Sequence, residues 1–203
     1  MLPNAERSEM VSQIQNAFSF LQKLYNESSF LIKEIEGQLS ETRPSFQILR
    51  PSGYSINTKS STGLEPINVN LWLLRKFAVA FVEENRTRVE KGQSFTEIEP
   101  GKKILYFRIV LDSSDDPEPK LFFALLNEIE LKKDKDKKFE NVMGYFQYVD
   151  DKLFSTKNKI DYEDGRIKLR GTYKSIGLLS LNSSDDLKTK VIDPSLKLYN
   201  SNK

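Results

Sequence analysis

The chain has 203 residues, 38% of them hydrophobic and 30% charged, with 31 basic against 29 acidic residues, no histidine and no cysteine. The profile is that of a folded domain rather than a disordered chain, and the near-zero net charge speaks against a dedicated nucleic-acid binder with a basic global field. The missing imidazole and thiol exclude Ser-His-Asp and Cys-His catalysis, disulfides, and zinc sites built on His and Cys.

Residues 5–39 carry the strongest pattern. With Ile14 at heptad position a, the a, d and e positions are apolar or aromatic almost throughout: Met10, Val11, Ala17, Phe18, Leu21, Leu24, Tyr25, Leu31, Ile32, Ile35 and Leu39. The stripe is wider than a coiled-coil seam, so it predicts a helix lying on a sheet or on several neighbours. At 1.5 Å per residue the helix is roughly 50 Å long, more than one small sheet needs, and part of it is expected to pack on a second subunit. Phe30 falls at position c, off the stripe, as a lone aromatic. Gly37 and Pro44 mark the end.

From residue 46 the period changes to 2. Residues 46–50 and 54–57 are expected as short strands around a Pro51-Ser-Gly53 turn. Phe77–Val82 reads as a buried strand. Trp72 is expected in the core. Ile104–Leu111 and Leu121–Leu131 form a hairpin across the Asp- and Pro-rich segment 112–119, with Leu121, Phe123, Leu125, Ile129 and Leu131 expected on one face. Further strands are expected at 142–149, 166–170 and 173–181, with Gly171-Thr172 as a turn or bulge between the last two. From residue 185 the chain is polar and is expected to fray, apart from a short strand at 190–192.

The sum is one α+β domain: a long N-terminal amphipathic helix packed on a mainly antiparallel, meandering sheet over residues 46–181. No apolar run is long enough to span a bilayer, the N-terminus lacks a secretory pattern, and zero cysteine fits a reducing compartment. A cytoplasmic protein without membrane contact is expected.

Three constellations bear on chemistry. Gly53–Ser60 approaches a phosphate-binding loop, but Thr58 stands where the second glycine must let the backbone approach phosphate, and no helix start follows. The Asp-rich turn at 112–116 lacks the spacing of a calcium loop. Glu97, Glu99, Glu128 and Glu130 with Lys132 have the residue types of a carboxylate site for a hard divalent metal acting on phosphodiesters. The plainer expectation there is a Lys102–Glu130 cross-strand pair, with Asp112 opposite Lys120. Arg166, Lys168 and Arg170 alternate with apolar residues, and Tyr173 and Lys174 follow. This row could meet phosphates and stack a base, or could be the wet face of an antiparallel sheet balanced by Asp161, Glu163 and Asp164.

No cofactor is expected. The leading expectation is a non-catalytic interaction protein with a protein partner or a second copy of itself. An accessory nucleic-acid binder comes next, then a metal-dependent nuclease.

Overall fold

The computed structural model describes residues 4–48, 73–83, 103–113, 117–132, 152–154 and 157–201. They fall into two compact units, Met1–Ile35 and Glu36–Lys203, divided within a single long helix.

That helix, α1 (Asn4–Ser40), forms because no proline interrupts it and its polar positions are filled mainly by Gln, Glu, Ser and Lys, with Glu6 in the first turn beside the positive end of the helix dipole. Its last carbonyls are satisfied locally. The Ser40 hydroxyl donates to Gly37 O at 2.7 Å, and the Thr42 hydroxyl lies 2.8 Å from Leu39 O and 2.7 Å from Pro44 O.

The second unit holds a six-stranded sheet in the order β1-β2-β3-β4-β6-β5: β1 (Phe46–Ile48), β2 (Lys76–Glu83), β3 (Ile104–Val110), β4 (Lys120–Leu131), β5 (Lys159–Glu163) and β6 (Ile167–Gly177). Every pairing is antiparallel. The long helix and antiparallel sheet make this an α+β fold.

β2 and β3 are buried along almost their whole length, on both faces, which explains why Phe77–Val82 is continuously apolar instead of alternating. One face carries Phe77, Val79, Phe81, Leu105, Phe107, Ile109, Leu121, Phe123 and Leu125, with Phe81 and Phe107 packed edge to face at 5.5 Å. The other carries Ala78, Ala80, Tyr106, Ala124, Leu126, Leu169 and Tyr173 in a core that includes Leu153 and Phe154.

On this second face Arg108 is 5% exposed, its guanidinium 5.0 Å from the Phe154 ring centre and 5.7 Å from that of Phe122. A weakly hydrated, planar cation beside two aromatic rings tolerates such burial.

β4 is irregular between Leu126 and Glu128. The extra residue reverses the inward and outward sense of all that follows. Ile129 therefore packs with Leu126 and Leu169, not beside Leu125 as strict alternation predicts. The irregularity lies on β4, and β6 runs unbroken through Gly171 and Thr172. The β3–β4 register pairs Val110 with Lys120, so Asp112 does not face Lys120. Asp112 instead bonds Arg75 at 3.0 Å.

The segment from residue 184 is helical rather than frayed, and residues 190–192 are not a strand. It comprises α2 (Ser184–Leu187), a π-helical turn (Lys188–Ile192) and α3 (Asp193–Ser201). Ser183 caps it, accepting from Asp186 N at 3.1 Å, a bond of the kind that stabilises a helix start by about 1 kcal/mol. Pro194 has no N–H to give Lys190 and its ring would crowd that carbonyl, so a wider turn just ahead of it accommodates the proline. Leu187, Val191, Ile192, Ser195 and Tyr199 form the buried stripe. The Gln38 amide donates to Ser184 Oγ at 2.9 Å, joining the end of α1 to the start of this segment.

The expected strand at 54–57, the strand at 142–149, Trp72, Gly53–Ser60 and Lys102 lie outside the described residues, as do Glu97 and Glu99.

Candidate functional site

Two of the sets singled out in sequence meet on one sheet face. The register aligns Glu128, Arg170 and Asp161 across β4, β6 and β5, and beside them Glu130, Lys168 and Glu163. Each row runs acid, base, acid. The bulge in β4 creates this arrangement by turning Glu128 and Glu130 onto the face of Lys168 and Arg170.

The bonds follow the rows. Arg170 Nη1 reaches Glu128 Oε2 at 3.3 Å, and its Nε reaches Asp161 Oδ1 at 3.2 Å. Lys168 Nζ contacts Glu128 Oε1 and lies 3.9 Å from Glu130 Oε2. Lys132 Nζ bonds Glu163 Oε1 at 2.5 Å. The Lys168 hydrogen bond, helped by the Lys168 and Arg170 charges, outweighs desolvation and holds the Glu128 carboxyl below its ordinary value. The Lys132 bond does the same for Glu163, and the Asp161 bond raises Arg170.

Chemically this is a self-neutralising ladder. Four carboxylates and three cations already face one another, and exposed pairs of this kind add little to stability. Among the described residues no cluster of Asp or Glu is placed to hold a metal ion. Of the cations that would meet phosphate, Lys168 and Arg170 are engaged by acids.

The remaining candidates separate. Tyr173 lies on the opposite face, 9% exposed, its hydroxyl donating to Phe154 O at 3.2 Å and its ring 5.0 Å from that of Phe154. It is therefore withdrawn from any base-stacking position beside Lys168 and Arg170, a separation that odd and even numbering along one strand already implies. Lys174 is exposed on the ladder face, and Arg166 is exposed in the turn before β6.

That turn shows what sequence reasoning missed. Asp164 Oδ1 accepts from Arg166 N at 2.7 Å and Ile167 N at 2.8 Å, while Oδ2 accepts from the Tyr162 hydroxyl at 2.9 Å. The Asp164-Gly165 pair between Lys159–Glu163 and Ile167 is a hairpin signal, and it sets β5 against β6. Burial pushes the Asp164 carboxyl up, but the Ile167 and Arg166 amides, the Tyr162 hydroxyl and the Arg166 charge outweigh it, and its pKa lies below the ordinary 3.8.

Depressed carboxyl values at Glu128, Glu163, Asp164 and Asp186 fix the sign of the acid response. Each group binds its proton more weakly folded than unfolded, so its contribution is present above the unfolded value and is lost as pH falls through the folded one. The melting temperature should be insensitive to these groups above about pH 5 and drop progressively below about pH 4. A melting temperature unchanged or rising from pH 5 to pH 3, by circular dichroism, would contradict it.

The other exposed feature is apolar. Met10 is 49% exposed, Val11 49%, Ile14 51%, Phe18 69% and Phe20 66% on α1, and Phe30 is 68% exposed on a separate line. Phe20, at heptad position g, widens the predicted stripe. At about 100° per residue, the apolar side chains of residues 10–25 cover roughly half the helix circumference. No described helix is long and apolar enough to cross a membrane.

No protein-family model, curated protein or solved structure matches the chain.

Proposed function

We propose that this chain is a non-catalytic interaction protein whose contact element is the apolar face of α1, working on a protein partner in the cytoplasm. The observation that carries the reading is the run of half- to two-thirds-exposed Met10, Val11, Ile14, Phe18 and Phe20 on one helix. Large apolar side chains contiguous at a surface mark a place that another molecule covers. The charged ladder supports the same reading from the other side, because its acids and bases are occupied with one another.

The test is the accessibility of this face. Anilinonaphthalene sulfonate should fluoresce with dilute native protein, and Phe18→Glu with Phe20→Glu should remove more than about half of that signal. Equal fluorescence from the folded variant and the parent would defeat the reading.

A further inference from the structure

Resting on that reading, we propose that the occupant of the α1 face is the same face of a second copy of this chain, giving a two-fold dimer through residues 10–25.

Charge decides among occupants. From Met10 to Gln22 the helix has no Asp, Glu, Lys or Arg, so both the apolar stripe and its polar back are uncharged for thirteen residues. A helix that lies on a lipid surface carries Lys and Arg along its polar face, and this one has none there. A charged peptide would find no counter-charge beside the stripe. A second copy of an uncharged face meets neither obstacle. Two-fold pairing sets the same patch against itself, and the patch has no like charges to bring together.

Area agrees. Five side chains exposed by half to two-thirds offer roughly 500 Å² at about 100 Å² each. Two copies then bury about 1,000 Å², the lower bound for a specific interface. The half-buried Leu21, Leu24 and Tyr25 continue the stripe and add to it. Ile14, Ala17, Leu21 and Leu24 occupy a and d, the positions through which paired helices interlock, and Phe18 at e and Phe20 at g widen the apolar surface on either side. An interface at this lower bound belongs with the weak, transient ones, so association is sought over a wide concentration range.

Sedimentation equilibrium of the full chain from about 0.1 to 100 µM tests this. The parent should pass from monomer to dimer over that range. Phe18→Glu with Phe20→Glu should weaken association at least about tenfold, the equivalent of 1.4 kcal/mol. Ser12→Glu with Ser19→Glu, which adds the same charge on the opposite side of the helix, should leave the dimer intact. An unchanged circular dichroism spectrum shows that each variant is folded. A chain that stays monomeric throughout overturns the dimer, as does a monomer that pellets with phosphatidylcholine–phosphatidylserine vesicles. If such a monomer still binds the dye, the contact-face reading survives without the second copy. If the dilute chain binds no dye, both fall.

Discussion

Gly171→Ala should cost the sheet unit at least about 3 kcal/mol, the upper end of what an overpacked site loses. A Cβ built on Gly171 would lie 2.0 Å from Leu125 O, 3.0 Å from Leu125 C and 3.1 Å from Leu126 Cα. All three are backbone atoms of the neighbouring strand at its bulge, so no rotamer change relieves the contact. Either β4 moves away from β6 or the residues around the bulge lose their ladder bonds. Space, rather than an unusual dihedral angle, is what demands glycine here. Gly37→Ala is the control: nothing lies within 4 Å of its added Cβ. In the helix it should be neutral or stabilising by up to about 1 kcal/mol. Urea denaturation of both variants gives the comparison. A Gly171→Ala protein within about 0.5 kcal/mol of the parent would mean that β4 and β6 do not approach as described.

Tyr199→Ala should be of similar severity, about 3–5 kcal/mol, because one side chain joins α3 to β1 and β2. Its ring meets Phe46 of β1 edge to face at 4.9 Å, and its hydroxyl donates to Glu83 Oε2 of β2 at 2.7 Å. Lys103, just ahead of β3, donates to the Tyr199 carbonyl at 3.2 Å and stands 5.2 Å from the ring centre. Tyr199→Phe separates these contributions. It keeps the ring and loses the hydroxyl bond, and should cost about 1 kcal/mol. If alanine and phenylalanine cost the same, the ring contributes little and α3 is not held by this residue.

The elements legible in the sequence were those whose signal is local and repeated. α1 shows eight turns of consistent spacing. The β3–β4 hairpin has alternating apolar strands around an Asp- and Pro-rich connection. What escaped depended on pairing. A single inserted residue near Asn127 reverses which side of β4 faces which core, and nothing in Leu-Leu-Asn-Glu-Ile-Glu announces it. The same insertion brings Glu128 and Glu130 opposite Arg170 and Lys168, so two sets that look like separate sites are one ladder of paired charges. The β3–β4 register is two residues from the expected one: Val110, not Asp112, lies opposite Lys120.

Other features were present and went unread. Leu187, Val191, Ile192 and Tyr199 have helical spacing, but Pro194 and the polar Ser-Ser-Asp-Asp lead-in suggest a fraying tail until the π turn is seen to absorb the proline. Asp164-Gly165 marks the β5–β6 hairpin, yet the alternating charges of Lys159–Glu163 read only as acidic surroundings. Arg108 sits on a strand whose other residues are apolar, and the rings of Phe122 and Phe154 beside its guanidinium are not announced by that strand's sequence.

Dye fluorescence compared between two double variants tests most directly the claim that the helix face, and not the charged sheet row, is the contacting surface. At about 0.1 µM, the dilute end of the sedimentation range, Phe18→Glu with Phe20→Glu should lose most of the signal, while Lys168→Gln with Arg170→Gln should keep it. A signal that survives the helix variant and follows the sheet variant instead would contradict the account.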